Sequence, residues 1–120
     1  MTESVLVVDD EEVVQNLIMD FLEEGGYKAY TASNGHDGLR ELQDKQPDLV
    51  ISDMRMPDMN GVEFFRLVRQ SSNVPTVMIT GAKPDDSAIR LGEGCVDAYM
   101  MKPISISALL SCVADLLRRS

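Results

Sequence analysis

Positive charge is scarce in this chain of 120 residues: 11 Lys and Arg stand against 20 Asp and Glu, a net charge of −9 at pH 7. Such a deficit argues against non-specific affinity for nucleic acid or anionic membrane, both of which select basic surfaces. Cysteine is limited to Cys95 and Cys112, which have no metal-ligand spacing and lie among apolar neighbours. They are expected to be buried, reduced thiols of a cytoplasmic protein. Histidine occurs once, at His36, early in an expected helix, where a solvated surface role is expected. No apolar run approaches the ~20 residues of a membrane span, and Met1-Thr-Glu-Ser4 leads straight into a strand pattern without a signal peptide. Linkers, low-complexity tracts and long charge blocks are missing too. The length fits one domain over residues 1–120, large enough to bury a core.

What is present is a five-fold alternation of strand and helix patterns. Strands are expected at residues 4–8, 27–32, 48–52, 74–79 and 96–101. The first is apolar throughout, as a central strand would be, and the second alternates like an edge strand. Helices are expected at 11–24, 34–45, 61–70, 85–91 and 105–118. In the first, Val13, Leu17 and Phe21 with Val14, Ile18 and Leu22 form one stripe, and Gly25-Gly26 ends it. Asn34 suits the cap of the second, and the third is expected to bury Val62, Phe65, Leu67 and Val68. The segment 85–91 is the most weakly encoded, being short, poorly amphipathic and followed by Gly92 and Gly94. The alternation implies an open α/β sandwich with right-handed crossovers, and leaves the strand order open.

Polar landmarks stand where the apolar runs stop. Asp9-Asp10 follows Val5-Leu-Val-Val8, Asp53 follows Leu49-Val-Ile51, Thr80 follows Thr76-Val-Met-Ile79, and Lys102 follows Ala98-Tyr-Met-Met101. In a parallel sheet the carboxyl ends of the strands share one edge, so three carboxylates, a hydroxyl and an ammonium would converge there. Two carboxylates ~4 Å apart repel by about 4 kcal/mol at an effective dielectric of 20. Cations are therefore expected: Lys102, and a hard divalent ion with oxygen ligands. Many nucleotide folds place a glycine-rich phosphate loop after the first strand; here it is acidic, so a phosphate could approach only with a metal present. Asp10 can cap the following helix and bind the ion together. Asp53 is a competent nucleophile toward phosphorus, giving an acyl phosphate. Gly81 and Ala82 leave room beside Thr80.

The chain resembles, over essentially its whole length, the receiver domain of two-component response regulators. The resemblance rests on Leu6-Val-Val-Asp-Asp-Glu11, Asp53-Met-Arg-Met-Pro-Asp-Met-Asn-Gly61, Ile79-Thr-Gly-Ala82 and Asp97-Ala-Tyr-Met-Met-Lys-Pro103. It implies a doubly wound, flavodoxin-like (βα)5 sandwich with a five-stranded parallel sheet in the order 2-1-3-4-5. It implies that Asp53 accepts a phosphoryl group from a histidine kinase or histidine phosphotransfer protein. Mg2+ or Mn2+ would be bound by Asp10, Asp53 and the Arg55 carbonyl, with Asp9 acting through water. Thr80 and Lys102 would contact the phosphoryl oxygens, and Tyr99 would report the state through its rotamer. The resemblance further implies a cis Lys102-Pro103 bond and a regulatory role in which the domain only assists its own phosphotransfer and slow autodephosphorylation.

Output would pass through the surface of the fourth helix, fifth strand and last helix to an attached domain or downstream protein, with a phosphorylation-dependent dimer as one form. The domain itself would touch neither nucleic acid nor membrane. Ile104 and Asn60 depart from the residues usual in the family, and Arg55 sits at a variable position that tunes acyl-phosphate lifetime. An aspartyl-nucleophile phosphatase would need a second Asp where Arg55 stands, and a flavin carrier would not tolerate the acidic first loop. A degenerate receiver acting as a phosphorylation-independent binding module is the alternative from another class.

Overall fold

The computed structural model describes residues 2–81 and 94–119. The described elements, in chain order, are β1 (Ser4–Val8), α1 (Glu12–Glu24), β2 (Lys28–Ala32), α2 (Gly35–Lys45), β3 (Leu49–Asp53), α3 (Gly61–Ser71), β4 (Thr76–Thr80), β5 (Ala98–Met101) and α4 (Ile106–Arg119). All neighbours pair in parallel, in the order β2-β1-β3-β4-β5. That settles the order the alternation left open. The apolar β1 is interior, with Val5 opposite both Ala29 and Leu49, and the more polar β2 lies at an edge. The helix expected at residues 85–91, and Ala82, lie outside the described residues.

Continuous apolar strands are explained by burial on both faces. Because side chains alternate along a strand, Leu6 and Val8 pack with Val50, Met78, Phe64, Phe65 and Val68 on the face covered by α2 and α3. Val5 and Val7 pack with Ile51, Ile79, Ile18, Leu22, Leu109 and Val113 on the face covered by α1 and α4. Each such fully buried side chain stabilises by about 1.5–3 kcal/mol.

Several expectations are corrected in detail. Val13 is 81% and Leu17 43% exposed, so they do not belong to the buried stripe of α1. Helical geometry sets them about 140° and 100° around the axis from Ile18; the inward line is Gln15, Ile18 and Leu22. In α3, Phe64 is fully buried and Leu67 only half-buried. β4 starts at Thr76 rather than at residue 74 because side chains engage the backbone ahead of it: Arg69 Nη1 donates to the Val74 carbonyl (3.0 Å). The Thr76 amide donates to Asp97 Oδ2 (2.8 Å), and the Thr76 hydroxyl to the Cys95 carbonyl (2.6 Å), which also delays β5. Cys95 and Cys112 are free but half-buried, not buried. Burial, with Asp115 nearby, raises the Cys112 thiol pKa. Gly26, at φ 92°, lets the chain leave α1. Gln46 takes the same left-handed region at φ 47° to close α2.

Candidate functional site

The carboxyl edge of the sheet assembles the polar residues in one open cleft of about 570 Å³, lined among others by Asp10, Asp53, Arg55, Thr80, Gly81 and Lys102. Asp53 is the last residue of β3, opposite Ile79, and Thr80 is the last of β4, opposite Met101. Backbone bonds continue the ladder one step beyond the strands: the Met54 amide donates to the Ile79 carbonyl (2.9 Å) and the Lys102 amide to the Thr80 carbonyl (2.9 Å). The Lys102-Pro103 peptide is cis, as expected. Gly61 opens α3 immediately behind Asp53. A Cβ there would lie 2.6 Å from the Asp53 carbonyl oxygen and 2.5 Å from Met78 Sδ, so only glycine lets the helix start this close.

Carboxylate oxygens of Asp9, Asp10 and Asp53 lie within 4.8 Å of one another. Asp9 is 1% and Asp53 7% exposed, whereas Asp10 faces solvent. Asp9 Oδ1 accepts from the Glu11 amide (2.9 Å), and Asp9 Oδ2 is buried with no partner among the described residues. Burial, and then the charge of Asp53, push the Asp9 carboxyl up to about 6, against the pull of the Glu11 amide and Lys102. An orphaned buried carboxylate oxygen in a ring of hard oxygen donors is what a divalent cation would satisfy. The donor set therefore fits a metal such as Mg2+ or Mn2+.

Lys102 Nζ stands 3.6 Å from Asp53 Oδ2 and 3.6 Å from Glu11 Oε1. It is the ammonium that the acidic edge called for. Tyr99 lies opposite Met78 on β5 and packs on the α2–α3 core. Its hydroxyl is buried without a partner among the described residues, and burial followed by Cys95 raises its pKa.

Two expectations are corrected and three contributors are new. Asp10 does not cap α1: the cap position is Glu11, with no side-chain capping bond, and Asp9 accepts the Glu11 amide instead. His36 is exposed but not merely solvated, because its Nδ1 pairs with Asp58. Glu11, read as a helix-start acid, shares Lys102 with Asp53. Gln15 is buried, and its Nε2 donates to the carbonyls of Asp9 (3.1 Å) and Ala32 (2.9 Å), which braces the acidic loop. A polar residue three positions before Ile18 on the inward helix line was the available signal. Asp58 is bound to the start of α2, a partnership no local pattern announces.

Residues 5–114 match the sequence pattern described as the response regulator receiver domain. The chain is 36% identical over 121 residues to the alkaline phosphatase synthesis transcriptional regulatory protein PhoP of Bacillus subtilis, covering 100% of this chain and 50% of that protein. It is 33% identical over 116 residues to the KDP operon transcriptional regulatory protein KdpE of Escherichia coli, covering 97% and 52%. The chain thus spans about half the length of the curated relatives it matches. Among solved structures, the chemotaxis protein CheY4 of Vibrio cholerae superposes with a TM-score of 0.91 at 28% identity, covering 97% of this chain and 99% of that one. A response regulator receiver domain from Clostridium thermocellum gives 0.90 at 28% identity, covering 98% and 95%. Among the described residues no helix is long and apolar enough to cross a membrane.

Proposed function

Because the chain belongs to the receiver domains of two-component response regulators, we propose that residues 1–120 form one phosphorylation-activated switch in which Asp53 accepts the phosphoryl group. The observation that carries this reading is the joining of a largely buried Asp53 carboxylate to Lys102, Thr80 and Asp10 in one open cleft, with the buried Asp9 carboxylate close by. An Asp53 oxygen attacks the phosphorus of a phosphohistidine donor. The new O–P bond forms as the P–N bond breaks, and the leaving imidazole keeps the bonding electron pair and takes a proton. Lys102, 3.6 Å from Asp53 Oδ2, is placed to neutralise charge on the transferred group. Asp10, Asp53 and the Arg55 carbonyl, with Asp9 through water, would hold Mg2+ or Mn2+. The ion supplies charge neutralisation that lets a dianionic group enter an acidic cleft.

The phosphorylated carboxyl draws the Thr80 hydroxyl toward it, and Tyr99 follows. The buried Tyr99 hydroxyl, which has no partner among the described residues, supports this, since a group in that condition costs about 1–3 kcal/mol and gains from an alternative position. The readout is the surface formed by β5 and α4. A histidine kinase or phosphotransfer protein supplies the group, and an output domain or a downstream protein reads it. The transcriptional regulators among the relatives favour an attached DNA-binding output. Water slowly removes the group, Arg55 and the small residues Gly81 and Ala82 setting the rate. Incubation with acetyl phosphate and Mg2+ should add one phosphoryl group to the wild type and none to Asp53→Asn. An unmodified wild type would instead make this domain a phosphorylation-independent binding module.

A further inference from the structure

The loop that carries Arg55 is anchored twice, once inside the cleft and once outside it. Inside, the Met54 amide donates to the Ile79 carbonyl and the Gly61 amide to the Met54 carbonyl (2.7 Å), and Arg55 bridges to Asn60 across the loop. Outside, the loop hangs on the start of α2. Asp58 Oδ1 accepts from the Gly35 amide (2.9 Å), Asp58 Oδ2 accepts from the His36 amide (2.9 Å), and the same oxygen pairs with His36 Nδ1. Met59 closes over the same turn: a Cβ on Gly35 would lie 2.5 Å from its Sδ. The helix already has its own cap, because Asn34 Oδ1 accepts from the Asp37 amide (2.8 Å). Asp58 therefore contributes something besides helix capping, namely the position of its own loop.

We propose that Asp58 is a positioning residue for the metal: docked on the first turn of α2, it fixes the loop in which Arg55 lines the cleft beside the acidic residues, and so sets metal affinity from outside the cleft. The proposal rests on the reading given above, in which the Arg55 carbonyl is a ligand. Asp58 is three residues from Arg55, at most ~10 Å of chain, in a loop held at Met54 and Gly61, so releasing Asp58 frees the middle of the segment that carries Arg55. The strength of the dock is consistent with this. Burial alone would raise the Asp58 carboxyl, but the Gly35 and His36 amides and the His36 ring outweigh it and hold it down at about 2. Ligand-orienting partners outside a metal's own coordination sphere commonly alter affinity by 10-fold or more. By linkage the coupling is reciprocal, so metal binding must tighten the Asp58 dock.

The test uses the whole chain and Mg2+ alone as probe. Calorimetric titration should give Asp58→Ala a Kd for Mg2+ about 10-fold above wild type, near the low end for such partners. Its phosphorylation by acetyl phosphate should be slow at low Mg2+ and recover at saturating Mg2+. Asn34→Ala, which removes only the local cap, should lower the unfolding midpoint and leave the Kd unchanged. In the wild type, Mg2+ should slow hydrogen exchange at the Gly35 and His36 amides, a readout that survives even if Asp58→Ala fails to fold. Equal Kd values for wild type and Asp58→Ala, or exchange at those amides indifferent to Mg2+, would overturn the proposal alone. A wild type that binds no Mg2+ would overturn both it and the reading it rests on.

Discussion

At neutral pH without metal, Asp9 carries its charge almost entirely inside the protein, 1% exposed, beside Asp53 and with no partner for Oδ2 among the described residues. Its carboxyl is pushed from 3.8 up to about 6, a difference of about 2 units, which corresponds to roughly 3 kcal/mol. The sign follows from proton counting. Between pH ~4 and ~6 the folded state holds more protons than the unfolded one, so stability falls as pH rises through that window. Asp9→Asn keeps an oxygen to accept the Glu11 amide and removes the charge. The variant should therefore match the wild type near pH ~4, draw ahead across the window, and be more stable by about 1–3 kcal/mol at pH ~7 in chelator. At roughly 4 °C per kcal/mol for a chain of this size, the midpoint should rise by about 4–12 °C. Added Mg2+ should stabilise the wild type by mass action and the variant far less. Thermal unfolding across pH, with chelator and with Mg2+, measures all of this. A variant less stable than wild type at pH ~7 in chelator, or a gap that does not change with pH, would refute the reasoning.

Lys102→Ala should fold, lose about 1–2 kcal/mol in chelator because the buried Asp53 carboxylate loses its cation, and regain most of it with Mg2+; urea unfolding with and without metal decides. The same variant should accept phosphoryl groups yet leave the Tyr99 signals unshifted in NMR spectra recorded with a beryllofluoride mimic. Gly61→Ala should cost about 1–3 kcal/mol by forcing α3 away from Met78 and the Asp53 carbonyl. It should also slow phosphorylation by acetyl phosphate, because the displaced backbone is that of Asp53, the proposed acceptor.

The strands and the candidate residues at their ends were legible for one physical reason. A parallel sheet buried on both faces demands unbroken apolar runs, so the first polar residue after Val8, Ile79 or Met101 marks the sheet edge without any knowledge of tertiary structure. Strand order was not legible from pattern and came only with the family resemblance. What stayed hidden depends on packing between distant segments. The outward turn of Val13 and Leu17 follows from where α1 rests on the sheet, since both fit an apolar stripe in sequence. The sharing of Lys102 between Asp53 and Glu11 needs β3, β5 and the first loop brought together. Asp58 reads as a loop acid, and only the proximity of α2, 22 residues away in sequence, turns it into a clamp. The cysteines were misjudged because apolar neighbours in sequence do not prevent a residue from sitting at the rim of the core.

The central claim is that Asp53 is the phosphoryl acceptor, and trapping its acyl phosphate tests it most directly. The protein is phosphorylated by acetyl phosphate with Mg2+, reduced with borohydride, which converts an acyl phosphate to an alcohol, and digested for peptide mass analysis. Reduction confined to Asp53, and lost in chelator or in Asp53→Asn, is the predicted result. Reduction at Asp9, Asp10 or elsewhere, or an Asp53→Asn variant modified as fully as wild type, would contradict the account.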